Sequence, residues 1–506
     1  MCSTEKREGL LSLARHYWLT HMLRKTIPVS LTLIVIMFSS LFIGTAALNP
    51  QVGIRAVGTV NYGSPTDVTV YVNFGNQTMT NAFRLGTQIN EWRWSLITAN
   101  QELRDACKEL NLGFMREYTI GRFQPCKSWD SSTNSGTYDW TDFDALIEFM
   151  LWCGAEPIIT IESADISGMT GAGVNKLPDP HQFGIHCQNV IRHCNEKGYG
   201  IKYYDLVNEP YFYYTPQELC DWFNIVQGYC YAEDSSILLS QSACHVPRFF
   251  DYYVDHIQGM KWFAHHGYTS WSGNGRETDE AILRKAETLE YMGAGDRMRT
   301  PKEMREMWYA KHGEWLDAIC IETNMDAYYS EATGTDPRMQ QIFGAVFWAE
   351  ASRTRILQGA RGASWYEYCS YDLRLKGWPE GHGLGMINMY SPFERWYPYY
   401  VNYLYGNNLA EGDPIYESTS SNFEALSSLA WKHGNNYKIL LVSKTTSHTT
   451  VSINGFTANN VTMQLIESTT DPDEIVGSIK TQTISPTSPI QLSFNGYCVA
   501  LLTVFI

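Results

Sequence analysis

Hydrophobic and polar positions follow two alternating patterns along residues 81–405. Short apolar runs are followed by longer segments such as WTDFDALIEFMLWCGA (140–155), whose apolar residues recur at helical spacing. Strands that alternate with helices are typical of a parallel sheet. Eight such units predict an α/β fold, a (β/α)8 TIM barrel. The predicted strands are FRLGTQI (83–89), LGFMREY (112–118), EPIITIE (156–162), IKYYDLV (201–207), SSILLSQ (235–241), MKWFAHH (260–266), DAICIE (317–322) and GASWYEY (362–368).

The pattern changes after residue 405. Short alternating runs such as KILLVSK (438–444) and YCVALLTVF (497–505) are separated by Gly, Asn, Pro and Ser. This texture is typical of an all-β sandwich, which we predict for residues 406–506. Residues 49–80 have the same character, and we expect them to add strands to that sandwich.

Residues 27–48 form an apolar segment without a charge. The segment is long enough to cross a hydrocarbon core of about 30 Å. The basic residues before it place residues 1–26 in the cytoplasm by the positive-inside rule. We therefore expect a transmembrane helix in a single-pass cell-membrane protein, with the barrel and the sandwich outside the cell. The alternatives are a signal peptide cleaved near residues 45–47, which would give a secreted protein, and a buried helix, which the absence of a polar face disfavours.

Composition restricts the possible functions. The chain has 38 basic and 53 acidic residues and a formal charge of −15, which argues against binding to nucleic acid. If Cys2 lies in the cytoplasm, eleven of the twelve cysteines lie outside the cell, and an odd number of cysteines cannot all form disulfides with one another.

The histidines and cysteines of HCQNVIRHC (186–194) resemble metal ligands, but the two His-Cys pairs are seven positions apart. This spacing is about 10.5 Å along a helix, too far for one zinc ion or a disulfide. We interpret them as a helix face.

Several predicted strands end on polar residues. In a TIM barrel the carboxyl ends of the strands converge on one mouth, so these residues are expected to lie close together. They are Arg116, Glu162, Asn208 with Glu209, His266 with Tyr268, Glu322, and Trp365 with Glu367.

This chain resembles the retaining glycoside hydrolases of clan A, in which barrel strand four ends in Asn-Glu and strand seven ends in Glu. VNEP (207–210) matches the first motif and AICIETN (318–324) matches the second. The Arg of GFMREY (113–118) and the His-x-Tyr of HHGYT (265–269) match further positions of the clan. Residues 138–161 and 495–504 resemble the β-xylosidase and α-L-iduronidase group.

The resemblance implies that Glu209 is the acid/base and Glu322 the nucleophile. Of the other matched residues, we predict that Asn208, Arg116, His266 and Tyr268 bind substrate. Trp365 is a further substrate-binding candidate that would stack on a sugar ring, with a core tryptophan as the alternative. Glu162 and Glu367 are reserve candidates for substrate contacts. No cofactor and no metal are expected. Adjacent residues of a strand point to opposite faces, so His265 and His266 are not expected to share a metal ion.

The chemistry of glycoside cleavage fits these residue types. A glycosidic bond breaks through a cationic transition state, so one carboxyl group donates a proton to the leaving oxygen and another captures the sugar carbon. Glutamates on strands four and seven can lie about 5 Å apart across a barrel mouth, the separation that retaining enzymes use. We expect Arg116 and Tyr268 to keep Glu322 ionised, and Asn208 to hold the sugar 2-hydroxyl.

The predicted function is therefore a glycosidase that cleaves β-linked O-glycosidic bonds by double displacement. Its expected partners are an oligosaccharide, polysaccharide or glycoconjugate substrate and a membrane. A transglycosylase with the same carboxylates is one alternative. A non-catalytic cell-surface carbohydrate-binding protein on the same barrel is the other.

Overall fold

The structure is a computed structural model in which eight parallel strands form a barrel and nine further strands form a second sheet. Each of the eight strands predicted from the sequence is present. The predicted transmembrane segment, residues 27–48, lies outside the described residues. No helix within the described ranges is long and apolar enough to cross a membrane. The structure describes residues 66–506 except 243, 271–276, 290–291, 294–295, 328–334, 371–382 and 469–473.

The first fifteen strands include those of the barrel. In chain order they are β1 (Thr66–Thr80), β2 (Arg84–Gln88), β3 (Phe114–Tyr118), β4 (Cys126–Asp130), β5 (Ser135–Tyr138), β6 (Glu156–Ile161), β7 (Tyr203–Leu206), β8 (Leu238–Gln241), β9 (Trp262–Ser270), β10 (Met292–Gly293), β11 (Asp296–Arg297), β12 (Asp317–Asp326), β13 (Gly362–Trp365), β14 (Cys369–Ser370) and β15 (Ile387–Asn388). The remaining strands follow the barrel. They are β16 (Pro414–Ser420), β17 (Leu426–His433), β18 (Asn436–Ser443), β19 (His448–Asn454), β20 (Asn460–Glu467), β21 (Lys480–Ile484), β22 (Ile490–Asn495) and β23 (Cys498–Phe505).

The helices begin where the sequence provides capping residues. Thr215 and Thr300 each accept a hydrogen bond from the glutamate three residues later and close a capping box, with a proline in the first turn. The α-helices are α1 (Glu91–Ala99), α2 (Gln101–Glu109), α3 (Thr141–Trp152), α4 (Pro180–Lys197), α5 (Pro216–Glu233), α6 (Pro247–His256), α7 (Asp279–Thr288), α8 (Pro301–His312), α9 (Ile342–Leu357) and α10 (Tyr397–Asn408). Short 3-10 helices span Gly121–Phe123, Pro210–Phe212 and Pro337–Met339.

The barrel strands are ordered β8-β7-β6-β3-β2-β13-β12-β9, and each neighbouring pair is parallel. Hydrogen bonds between the two terminal strands of this order close the barrel. The N–H of Lys261, just before β9, donates to the carbonyl of Leu239 at 2.8 Å, and that of Ala264 donates to Ser240 Oγ at 2.8 Å. The lower part of the barrel interior is filled by apolar side chains, among them Phe114, Ile158 and Ile319.

Strands β9 and β12 are longer than the sequence predicted. They run to Ser270 and Asp326, so Glu322 lies within a strand instead of at its end. A β-bulge interrupts their pairing: Cys320 lies opposite His265, but Glu322 lies opposite His266. The extra residue, Ile321, therefore shifts the alternation by one position. As a result both Ile319 and Glu322 face the barrel interior.

The nine-stranded sheet has the order β21-β20-β23-β18-β17-β16-β1-β19-β22. This sheet has its own hydrophobic core, separate from that of the barrel, which contains Val70 of β1, Val451 of β19, Leu465 of β20 and Leu502 of β23. Strands far apart in this order share one core, so the sheet folds over itself as in a sandwich. Strand β1 pairs antiparallel with β16 and parallel with β19.

Helix α9 lies between the barrel and the second sheet and is buried over nearly its whole length. Arg353 on this helix donates from Nε to the carbonyl of Ser428 in β17 at 2.8 Å and forms an ion pair with Glu350 at 3.0 Å. These contacts fix the sheet against the outside of the barrel. The eleven cysteines within the described ranges are buried free thiols.

Helix α10 approaches the end of α2 closely at Gly406. A Cβ on Gly406 would lie 1.9 Å from the carbonyl oxygen of Leu110. We therefore expect Gly406→Ala to destabilise the fold by about 1–3 kcal/mol, because the backbone has to move. Gly228→Ala on α5 is the matched control: nothing lies within 4 Å of its Cβ, and the helix gains about 0.5–1 kcal/mol. Thermal unfolding measures both, and equal melting temperatures for the two variants would contradict the prediction.

Candidate active site

Arg116 is the centre of the polar cluster at the carboxyl end of the barrel. Its side chain is fully buried. Nη1 donates to Glu322 Oε2 at 2.9 Å and to Gln88 Oε1 at 3.2 Å, Nη2 donates to Asn208 Oδ1 at 2.7 Å, and Nε donates to Thr160 Oγ1 at 3.0 Å. One guanidinium thus joins the ends of strands one, two, three, four and seven of the barrel.

Glu322 is held as a carboxylate. Tyr118 donates to its Oε2 at 2.8 Å, and Tyr268 donates to its Oε1 at 2.6 Å. Burial alone would raise the pKa of Glu322. The positive charges of His266 and Arg116 and the two tyrosine hydrogen bonds all lower the pKa. Together they outweigh burial, so the pKa of Glu322 lies below its usual value. This agrees with the charge state expected from the sequence.

Glu209 lies opposite Glu322 and has different neighbours. Its Oε1 lies 2.7 Å from His266 Nδ1 and accepts a hydrogen bond from Tyr211 at 3.0 Å. Burial disfavours the imidazolium form of His266, but the charge of Glu322 and the hydrogen bond to Glu209 raise its pKa. His266 and Glu209 therefore form one hydrogen-bonded pair that can hold and release a proton.

The two glutamates are close together. A carboxylate oxygen of Glu209, one of Glu322 and a ring nitrogen of His266 all lie within 4.8 Å of one another. Such a set could in principle bind a cation. However, both oxygens of Glu322 already accept hydrogen bonds, and Arg116 supplies a positive charge 2.9 Å away. The arrangement therefore suits proton transfer and nucleophilic attack better than metal binding.

Of the seven predicted site residues, the structure brings six together: Glu209, Glu322, Asn208, Arg116, His266 and Tyr268. Trp365 is the exception and requires a correction. It is 0% exposed, its Nε1 donates to the carbonyl of Leu384 at 2.8 Å, and its ring packs against Trp348 of α9. Side chains alternate along a strand, so Trp365 faces the helices and the next residue faces the pocket.

That next residue is Tyr366, which the sequence reasoning missed. It is half-buried, its hydroxyl accepts a hydrogen bond from Asn90 at 3.2 Å, and it lies close enough to Glu322 to interact electrostatically with it. Tyr118 was also missed, although it follows Arg116 by two positions and therefore shares its face. The contact of Tyr211 had no sequence signal, because the 3-10 turn after the strand creates it.

The reserve candidates Glu162 and Glu367 are buried beside the site. Glu367 accepts a hydrogen bond from Asn90 and lies 3.7 Å from Arg93. Glu162 Oε1 accepts the backbone N–H of Asn208 at 2.5 Å. Burial raises the pKa of Glu367 to about 7 and that of Glu162 to about 8. Both groups are only 1% exposed, which makes direct contact with a substrate less favourable than the sequence suggested.

Comparison with known proteins shows the fold. No protein-family model matches the chain, and no curated protein matches its sequence. Among solved structures, CelM2, a bifunctional glucanase-xylanase from a metagenome library, superposes with a TM-score of 0.61 at 15% identity, covering 87% of this chain and 99% of that one. An α-L-arabinofuranosidase from Thermotoga maritima gives 0.60 at 12% identity, covering 87% and 100%. A monomeric β-xylosidase from Caulobacter crescentus gives 0.58 at 14%, covering 86% and 99%.

These structures are glycoside hydrolases with a TIM barrel and an additional β-domain. The chain has the fold of this class over most of its length, and the predicted resemblance to clan A is confirmed at that level.

The hydrogen bond from Tyr268 to Glu322 can be tested without a substrate. Tyr268→Phe removes a donor to the carboxylate, so the pKa of Glu322 should rise. Carbon NMR of labelled glutamate carboxyl groups across a pH titration measures the change. Tyr309→Phe is the control, because Tyr309 lies on α8 and is 45% exposed. The same Glu322 titration in wild type and Tyr268→Phe would contradict the assigned hydrogen bond.

Proposed function

We propose that this protein is a retaining glycoside hydrolase in which Glu209 is the acid/base and Glu322 the nucleophile. The observation that carries the proposal is the pair of carboxyl groups with oxygens no more than 4.8 Å apart. Retaining enzymes place these groups about 5–5.5 Å apart, whereas inverting enzymes leave about 6.5–9.5 Å for a water molecule. The surroundings of the two groups also differ, as two distinct roles require.

In the first step, a carboxylate oxygen of Glu322 attacks the anomeric carbon. The bond from that carbon to the leaving oxygen breaks, and the oxygen takes the proton held by the Glu209–His266 pair. The product is a glycosyl ester on Glu322. Arg116 and Tyr268 favour this reaction, since they keep the carboxylate ionised and oriented before attack.

In the second step, Glu209 takes a proton from a water molecule that attacks the anomeric carbon. The ester bond breaks and the Glu322 carboxylate is restored, so two inversions give net retention. The Glu209 side chain is 18% exposed, which gives it access to water and to the leaving group. The side-chain oxygen of Asn208 accepts a hydrogen bond from Arg116 at 2.7 Å. The side-chain NH2 group of Asn208 is then available to donate to a sugar hydroxyl.

The proposed substrate is an oligosaccharide, polysaccharide or glycoconjugate with a β-linked sugar. The structural relatives named above include enzymes described as acting on glucans, xylans, xylosides and arabinofuranosides. Aryl β-glucosides, β-xylosides and α-L-arabinofuranosides therefore form a suitable first panel. We also propose that residues 27–48 anchor the protein in the cell membrane with residues 1–26 in the cytoplasm, on the length and charge of these segments.

The stereochemistry of the first product tests the double displacement. Proton NMR of a freshly started reaction with the best substrate of the panel should show the anomer of the starting glycoside, before mutarotation mixes the two forms. Initial release of the opposite anomer would rule out a covalent intermediate on Glu322. Transfer of the sugar to added acceptors in preference to water would instead favour the transglycosylase alternative.

The roles of the two glutamates are separated by leaving-group dependence. Glu209→Ala should slow aryl glycosides with poor leaving groups by at least about 100-fold and affect the first step of dinitrophenyl glycosides far less, since these leave without a proton. Glu322→Ala should fail on both, with azide restoring some turnover from the vacated side. Circular dichroism checks the folding of both variants. Equal losses on both substrate types for Glu209→Ala would show that the assigned roles are wrong.

A further inference from the structure

The backbone that carries Glu209 is strained. Val207 and Glu209 both adopt left-handed conformations, with φ of 60° and 45°. Valine is β-branched, and such residues rarely occupy this region because the side chain collides with the backbone. A turn of this kind persists only where neighbouring groups hold it. The groups that hold this turn therefore determine where the Glu209 carboxyl group points.

Three hydrogen bonds hold the backbone N–H groups of the turn. The N–H of Val207 donates to the carbonyl of Ile161 at 2.9 Å, and that of Glu209 makes a long bond to Ser242 Oγ at 3.4 Å. Between them, the N–H of Asn208 donates to Glu162 Oε1 at 2.5 Å, the shortest of the three. The side chain of Glu162 is thus the principal side-chain contact of the turn backbone.

Glu162 is itself fixed in place. Its backbone N–H donates to Thr119 Oγ1 at 2.8 Å, and its carbonyl accepts a hydrogen bond from Gln124 at 2.9 Å. Both partners come from the loop after strand β3. The carboxyl group therefore approaches the Asn208 peptide from a backbone that is held on both sides.

The surroundings of Glu162 favour its neutral form. Burial and, to a smaller extent, the charge of Asp205 raise its pKa to about 8, although the N–H groups of Asn208 and Ser163 and the charge of Arg116 oppose this. Oε2 is buried, and no partner for it lies within the described part of the chain. Protonation avoids an unpaired buried charge, because Oε1 accepts the Asn208 N–H and the proton resides on Oε2.

We propose that Glu162 is a positioning residue whose neutral carboxyl group holds the Asn208 peptide and thereby keeps the Asn208–Glu209 turn in the conformation that presents Glu209 to the leaving oxygen. This inference rests on the proposed role of Glu209. It differs from the substrate contact expected from the sequence, because Glu162 is 1% exposed and its Oε1 faces the backbone.

Two substitutions at Glu162 separate positioning from charge. Glu162→Gln keeps an oxygen for the Asn208 N–H and is uncharged, so activity on all substrates at pH 7 should stay within about threefold of wild type. Glu162→Ala removes the acceptor, and we expect at least about a tenfold loss on poor leaving groups with little loss on dinitrophenyl glycosides. Glu156→Gln, at the opposite end of strand β6, should match wild type.

The neutral form is tested separately by stability, without any substrate. The folded pKa of Glu162 is raised above the ordinary value of 4.5, so its contribution to stability is complete below that value and is lost as the pH rises towards 8. Glu162→Gln has no such loss. The melting temperature of Glu162→Gln minus that of wild type should therefore be a few degrees larger at pH 8 than at pH 5. The same difference for Glu156→Gln should not change with pH.

Each outcome decides the proposal. If Glu162→Gln loses as much activity as Glu162→Ala, a negative charge is needed and the neutral positioning role is wrong. Equal losses of Glu162→Ala on activated and unactivated substrates would assign Glu162 to substrate binding or to the fold. A melting-temperature difference that does not change with pH contradicts the neutral form. If wild type cleaves no glycoside while this difference behaves as expected, the proposed function fails and the charge state of Glu162 stands.

Discussion

The buried guanidinium of Arg116 is the constraint on which the mouth of the barrel depends. A charge removed from water is costly unless it is paired and all its N–H groups find acceptors. Each of the three guanidinium nitrogens of Arg116 has an acceptor, and these acceptors, Glu322, Asn208, Thr160 and Gln88, come from four other strands. Because these acceptors must converge on one planar group, the strand ends are fixed relative to one another.

The same constraint gives the two glutamates different properties. Glu322 receives the positive charge of Arg116 and two tyrosine hydrogen bonds, which lower its pKa despite burial. Glu209 shares its hydrogen bonds with His266 and Tyr211 instead. Two identical side chains thus have different surroundings, as the proposed double displacement requires.

Around this ionised centre lies a set of buried carboxyl groups that favour protonation. The pKa of Glu162 is raised to about 8, that of Glu367 to about 7 and that of Asp205 to about 6, in each case chiefly by burial. The charge of Arg116 near Asp205 and Glu162, and that of Arg93 near Glu367, offset only part of this effect. Burial thus opposes further negative charge beside the two glutamates that we propose for catalysis.

The sequence alone determined the eight strands, the barrel and six of the residues that meet at its mouth. Apolar periodicity reports which segments are buried, and a polar residue at the end of a buried strand stands out against it. Alternation along a strand also places Tyr118 on the same face as Arg116, two positions away, although the sequence reasoning did not use it.

Only the tertiary structure decided how the two glutamates point. Glu322 faces the interior because the bulge at Ile321 shifts the alternation by one residue, and Glu209 because Val207 and Glu209 itself adopt left-handed conformations. Neither feature has a local signal, since isoleucine and valine favour regular strands. Both are imposed by contacts with neighbouring strands and loops, of which the hydrogen bond from Asn208 to Glu162 is one, and such contacts exist only once the barrel has closed.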